Sequence, residues 1–201
     1  MFYRPEDNDH GLPHNPFKAI VSPRPIGWIS TQSENGIANL APYSFFNALC
    51  DTPPMVMFAS SGQKPDQPKG KDSLANIIAT GEFAVNIVSY TLRDQMSTSA
   101  ASLPADTDEF EAAGLTKAAG KAISAPHVGE APAVLECKLY KIIDLPGASN
   151  SMVIGEVVGV HMKDDFIVNG QFDVTKYQPL SRLGYMDYAA VENVFSIKRP
   201  A

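Results

Sequence analysis

Apolar residues recur along this chain in two rhythms. Short apolar runs of strand length cover Ile26–Thr31, Ile37–Asn47 and Met55–Ser60, and they are punctuated by Asn35-Gly36 and Pro53-Pro54. Asn35-Gly36 is the pair favoured where a tight hairpin turn needs positive φ, so the first two runs are expected to fold back on each other. Phe83–Val88 reads as a buried strand. From Ala133 the pattern is strongly β: Leu135, Cys137 and Leu139 alternate with Glu136, Lys138 and Tyr140, and Ser151–Met162 follows beyond Gly147, which together predict a long hairpin. Helical spacing appears at Leu74, Ile77 and Ile78, predicting a helix over Asp72–Thr80 with Asp72 or Ser73 as cap and Gly81 as stop. Thr91 is placed to cap a second short helix with Leu92 and Met96 on one face. The stretch Ser97–Gly129, rich in Ala, Ser, Asp and Gly, reads as an excursion from the barrel, with a helical turn near Asp108–Gly114, and as a candidate lid. Many short strands around one long hairpin point to a closed antiparallel barrel.

A chain of 201 residues buries roughly 70% of the surface its unfolded form exposes, so one core suffices without metal or disulfide staples. No repeat is visible, and no apolar run approaches the roughly 20 residues that cross a bilayer. The start, Met1-Phe2-Tyr3-Arg4-Pro5-Glu6-Asp7, lacks the basic and then apolar regions of a signal peptide, so a cytoplasmic location is expected. Cys50 and Cys137 lie far apart without a CxxC, which favours reduced thiols. A net charge of −6 without a Lys/Arg cluster argues against nucleic acid and anionic membrane as partners. His10 and His14 fall in a Pro/Asn-rich tail and His127 and His161 are isolated, so no metal site is expected. GxSxG, P-loop and GxGxxG motifs are absent, which removes support for hydrolase, NTPase and Rossmann readings.

From Ser22 to Phe58, small residues, hydroxyls, amides and rings alternate with little charge, as expected where backbone approaches a flat aromatic ligand with a polar edge. Here Ser22-Pro23-Arg24-Pro25, Ile26-Gly27-Trp28-Ile29-Ser30-Thr31 and Asn39-Leu40-Ala41-Pro42-Tyr43-Ser44-Phe45-Phe46-Asn47 follow one another. Lys71-Asp72-Ser73-Leu74-Ala75-Asn76-Ile77, Gly81-Glu82-Phe83-Ala84-Val85-Asn86, Phe110-Glu111-Ala112-Ala113-Gly114-Leu115, Leu135-Glu136-Cys137, Ile154-Gly155-Glu156-Val157-Val158 and Arg182-Leu183-Gly184-Tyr185-Met186-Asp187-Tyr188 come next in order. This series resembles the flavin reductase family of FMN-binding split-barrel proteins, in its flavoredoxin-like or NADH:FMN oxidoreductase-like branch, from about Pro16 to Tyr188. The resemblance implies a mainly β fold: a six-stranded antiparallel Greek-key split barrel with a few added helices, in one domain over 1–201, with a tail at 1–15 and a helical excursion at 91–130. It also implies noncovalent FMN, a homodimer with FMN where two barrels meet, NADH or NADPH as substrate, and a partner oxygenase or electron donor.

The resemblance sets Trp28, Ile29, Ser30 and Thr31 along the flavin ring, with Asn39, Ala41, Tyr43, Ser44 and Asn47 in the loop that holds the ribityl phosphate. Lys71, immediately before the Asp72 helix, is the strongest phosphate candidate on physical grounds, with Ser73 beside it, because a helix N-terminus offers unpaired N–H groups and Lys71 adds a full charge. Many NADH-using members carry a histidine before the Ile-Gly-Glu-Val strand, facing the nicotinamide; here Asn150 takes that place. His127, Asn150 and Phe166 are therefore the candidates for the nicotinamide or substrate side. The implied function is an NAD(P)H-dependent flavin reductase that supplies reduced flavin to a partner. Two alternatives are a flavoredoxin-like electron carrier without a direct NAD(P)H site, and a flavin storage or sensing protein.

Overall fold

Seven strands form one antiparallel sheet in a computed structural model that describes residues 1–64 and 70–200. They are β1 (Gly27–Gln32), β2 (Ala38–Tyr43), β3 (Phe46–Asp51), β4 (Pro54–Ser61), β5 (Glu82–Ile87), β6 (Ala133–Leu145) and β7 (Asn150–Met162). Their order in space is β2-β1-β5-β6-β7-β4-β3. The two end strands, β2 and β3, are consecutive in the chain with only Ser44-Phe45 between them, so the sheet curls until its edges meet. Ala59 N–H donates to Phe45 O at 2.8 Å and extends the β3–β4 ladder into this link. The Phe46 ring lies where a Cβ on Gly27 would come within 2.7 Å of it, so glycine is what lets the edge close. The mainly β barrel expected from the sequence is thus formed, with β3 present as a seventh strand.

Rings fill the interior. Tyr43 of β2 and Phe58 of β4 stand 4.7 Å apart between centroids, and Phe58 and Phe83 of β5 stand 5.7 Å apart edge to face. Val56, Val85, Cys137 and Val153 close around them, and helix α1 (Asp72–Thr80) adds Leu74 and Ile77. Burial raises the Cys137 thiol well above its ordinary value, and Cys50 is exposed; both are free. A second core covers the outer face of β1 and β5. Trp28, Leu40 and Val88 meet Leu92 and Met96 from the turn Tyr90–Leu92 and helix α2 (Arg93–Thr98). Because β1 is buried on both faces, it shows no alternation: Trp28 and Ile29 are both buried, and so are the polar Ser30 and Thr31 that follow.

Four local expectations are revised by the structure. Thr91 caps no helix and lies inside the turn Tyr90–Leu92. Asn35 keeps negative φ and only Gly36 is positive in that loop, so Ser33–Ile37 is a five-residue turn closed by Ser33 N–H to Ile37 O at 2.8 Å. Neither Asp72 nor Ser73 caps α1: Lys71 is the N-cap and makes no side-chain cap, while Gly81 ends the helix at φ 73° as expected. The excursion contributes residues to the outer core as well as a wall to a cleft. Its helix α3 (Glu109–Ala112), capped by Asp108, inserts Phe110 into the outer core, and Leu115, Ile123 and Val128 follow it. Among the described residues no helix is long and apolar enough to cross a membrane. A small three-stranded sheet (Arg24–Pro25, Leu180–Arg182, Tyr188–Ala190) ties the end of the chain to the approach to β1.

Gly155 of β7 marks a tight point of the interior, because a Cβ there would lie 2.4 Å from Phe83 Cζ and 3.2 Å from Cys137 Cβ. Gly155→Ala is expected to cost about 1–3 kcal/mol through overpacking. Urea denaturation at matched pH checks this, and a stability equal to the wild type would show that the Phe83 ring moves freely.

Candidate functional site

Among the described residues the outer rim of β2 is an unpaired sheet edge, and a cleft lies against it. Leu40 N–H on this rim donates to Glu109 Oε2 at 3.2 Å, and Pro42 has no N–H to offer. Asn39 is the hub of the buried floor. Its Nδ2 donates to Glu109 Oε1 at 2.9 Å, and its Oδ1 accepts from Ser73 at 2.7 Å and from Thr31 at 3.4 Å. Asn76 Nδ2 in turn donates to Thr31 Oγ1 at 3.0 Å, so α1, β1, β2 and α3 share one polar chain. Burial raises the Glu109 carboxyl above its ordinary value, against hydrogen bonds from Leu40 and Asn39 that lower it.

One end of the cleft is cationic. Lys71 is exposed at the N-terminus of α1, with its Nζ 5.8 Å from the Tyr43 ring, and it forms no ion pair among the described residues. Lys64 Nζ pairs with Asp72 at 2.6 Å, which draws that carboxylate away from the position an anion would take. Among the described residues the buried Tyr43 and Ser60 hydroxyls have no well-aligned hydrogen-bond partner, and burial raises the Tyr43 phenol against the nearby Ser73 and Ser60 hydroxyls, which lower it. A buried hydroxyl without such a partner in the lining of a cleft is suited to a polar ligand. The opposite wall is Ser99–Leu103. The cleft encloses about 210 Å³.

The site residues expected from the sequence separate into groups. Asn39, Ala41, Tyr43, Lys71 and Ser73 line this cleft together. Ser44 lines a neighbouring cleft that shares Pro42 and Ala100 with the first. Asn47 is exposed on β3 and lines neither. Trp28, Ile29, Ser30 and Thr31 are fully buried, and over Gly27–Ser30 the strand is paired on both sides, so these residues back the cleft wall from behind. Lys64, Glu109 and Ser99–Leu103 belong to the lining and carry no motif that would have singled them out.

The candidates for the nicotinamide side are not in the cleft. Asn150 Nδ2 donates to Pro146 O at 2.9 Å and locks the hairpin tip. Phe166 packs on Phe172 and Tyr177 in a small aromatic cluster. His127 is buried rather than in an exposed loop, and it stacks at 4.6 Å on His161, so the two histidines that look isolated in the sequence are neighbours in the fold. With Glu136 they form a group whose ligand atoms all lie within 4.8 Å of one another, an arrangement a cation could use and one the sequence does not show. The Glu136 carboxylate is already engaged, by Lys121 N–H at 2.7 Å, Ala122 N–H at 2.6 Å and His161 Nε2.

Residues 21–181 match the family model described as the flavin reductase like domain. An uncharacterized protein of Aquifex aeolicus (strain VF5) is 40% identical over 166 residues, which is 82% of this chain and 83% of that one. Among solved structures, nitrilotriacetate monooxygenase component B from Bacillus cereus has a TM-score of 0.88 at 29% identity and covers 98% of both chains. The 2-nitrobenzoate 2-nitroreductase NbaA from Pseudomonas fluorescens has a TM-score of 0.86 at 29% identity, over 100% of this chain and 96% of that one.

Burial works to raise the Glu136 carboxyl, but hydrogen bonds from His161, Lys121 and Ala122 overcome it and hold the group below its ordinary value. Its stabilising contribution is therefore complete above the unfolded carboxylate pKa of about 4.3, and is lost as the pH falls through the lower folded-state value. Glu136→Gln is expected to lower stability at pH 7 by about 1.5–3 kcal/mol and to flatten the acid limb of the stability curve. Urea midpoints measured from pH 7 to pH 3 check it, and an unchanged acid limb would show that other carboxylates set the acid response.

Proposed function

Because the chain belongs to the flavin reductase-like family, we propose that it binds FMN noncovalently in the cleft beside α1 and reduces flavin with NADH or NADPH on behalf of a partner oxygenase. The observation that carries this reading is Lys71 at the N-terminus of α1, without a counter-ion among the described residues, at the end of a cleft whose buried Tyr43 hydroxyl has no well-aligned partner among them. Lys71 and the first-turn N–H groups would hold a terminal phosphate. Asn39, Ala41, Tyr43 and Ser73 would line the remainder of the cofactor. When bound, FMN supplies the hydride and electron transfer, and the chain supplies position, polarity and exclusion of water. The Bacillus cereus protein is named as a monooxygenase component, which supports a partner oxygenase.

The site favours a dimer. At about 210 Å³ the cleft is smaller than the roughly 300–1,000 Å³ usual for ligand sites, so a flavin ring would project from one chain and need a second to cover it. Tyr140, Val158, Val160 and Met162 form an exposed apolar strip on the β6–β7 hairpin, which a second barrel would bury. Light scattering at micromolar concentration tests this, and a stable monomer that holds FMN tightly would end the dimer reading.

A second reading is an FMN electron carrier without its own NAD(P)H site. It is favoured by Asn150, whose amide is committed to its own turn where many relatives would carry a histidine. Anaerobic mixing of the FMN-loaded protein with NADH and with NADPH decides between them: rapid bleaching of the flavin is expected for a reductase, and a flavin that stays oxidised with both would select the carrier.

Lys71→Ala is expected to weaken FMN by about 10- to 150-fold, the equivalent of one charge-assisted hydrogen bond, while riboflavin, which has no phosphate, binds both proteins alike. Fluorescence titration at low ionic strength checks it. Equal FMN affinity in the two proteins would place the phosphate away from α1, and no flavin binding in either would end the functional reading.

A further inference from the structure

Arg24 is buried, with 5% of its surface exposed, yet among the described residues it pairs with no Asp or Glu. Its Nη1 donates to the carbonyls of Lys18 and Val21 and its Nη2 to Leu183 O at 2.8 Å, while the buried Nε–H has no partner. Carbonyl dipoles satisfy donors but do not neutralise a charge, so a buried cation held in this way is still short of an anion. Burial, and then repulsion from Arg182, lower the Arg24 pKa.

Two more cations face the same space. Arg182 is the strand partner of Arg24 and donates to the Tyr188 hydroxyl and to Tyr185 O, with its guanidinium 4.4 Å from the Tyr188 ring. Lys18 Nζ and the Arg24 guanidinium each stand 5.9 Å from the Phe45 ring. Neither Arg182 nor Lys18 forms an ion pair among the described residues. All three line the neighbouring cleft of about 430 Å³, and among the described residues no Asp or Glu lines it. In a chain with a net charge of −6, three uncompensated cations in one cleft run against the average. The rest of the lining mixes Ile26, Met96, Leu183, Tyr185 and Tyr188 with the polar Asn15 and Ser44, which suits a flat ring bearing a polar group. Pro42 and Ala100 are shared with the cofactor cleft.

We propose that this second cleft binds the carboxylate of a small aromatic acid, with Arg182 and Lys18 engaging the anion, Arg24 supplying charge from behind, and the ring directed toward the wall shared with the cofactor cleft. A guanidinium fork matches the two oxygens of a carboxylate, and the tyrosines flank the ring. That the acid lies beside a flavin rests on the function proposed above; the anion contacts do not.

Calorimetric titration of benzoate into the FMN-loaded protein, and into the same protein stripped of FMN, tests the site. Benzoate is expected to bind at least tenfold more weakly to Arg182→Gln and to Lys18→Gln than to wild type, while Lys176→Gln, an exposed charge elsewhere, leaves it unchanged. Benzamide, which has the same ring without the charge, is expected to bind weakly and equally to all four proteins. Benzoate binding no better than benzamide, or unaltered in both cleft variants, overturns the proposal. So does pyrophosphate binding that is tighter than benzoate and displaces it, which would give the cleft to the phosphates of a dinucleotide. Protein that takes up benzoate but no FMN removes the flavin reading and leaves this site standing, whereas FMN uptake with no benzoate binding does the reverse.

Discussion

The closure of one sheet on itself is the constraint from which the rest of this molecule follows. With only Ser44-Phe45 between the two end strands, the sheet has no freedom to lie open, and the curl forces Tyr43, Phe58 and Phe83 into one interior stack. Two glycines make the curl sterically possible: Gly27 takes the Phe46 ring at the seam and Gly155 takes the Phe83 ring inside. Closure also fixes where the barrel remains reactive. Among the described residues the outer rim of β2 is left unpaired beside the N-terminus of α1, and the cleft forms in the angle between them.

The cleft is built from that angle by polar groups that are themselves buried. Asn39 receives hydrogen bonds from β1 and α1 and passes one to Glu109, so a helix, two strands and the excursion set one another's positions through a single amide. The raised Glu109 carboxyl and the raised Tyr43 phenol share a cause, which is removal from water at the back of the site. Charge is kept at the mouth, where Lys64 holds Asp72 aside and Lys71 faces outward. Polar order behind and cation in front suits a ligand with an anionic tail and a flat body.

Much of the frame was legible because its signals are local. The alternation at Leu135, Cys137 and Leu139 marks a strand, and the Leu74, Ile77 spacing with Gly81 marks a helix and its end; both elements appear as expected, although Glu136 on the polar side of that alternation is fully buried. The packing of the excursion was harder to read because small residues hide it: Ala125 is buried by position, and only Phe110, Leu115, Ile123 and Val128 advertise a core. The Asn39–Ser73 end of the cleft was legible from the helix start and the family resemblance. Glu109 and the His127–Glu136–His161 group were not, because each depends on segments far apart in sequence meeting across the fold. Trp28 shows the opposite failure: its strand was identified, but the direction of the side chain, into the outer core, follows only from which face the excursion covers.

Trp28 is the chain's only tryptophan, and its indole N–H donates to Ser99 Oγ at 2.8 Å. Ser99 opens the wall Ser99–Leu103 that faces the β2 rim across the cleft. The emission of a single buried indole is thereby tied to the docking of that wall, so intrinsic fluorescence reads the state of one side of the site without any label. An indole that loses this hydroxyl sees a changed local field. The molecule thus carries its own optical gauge of whether the wall is seated.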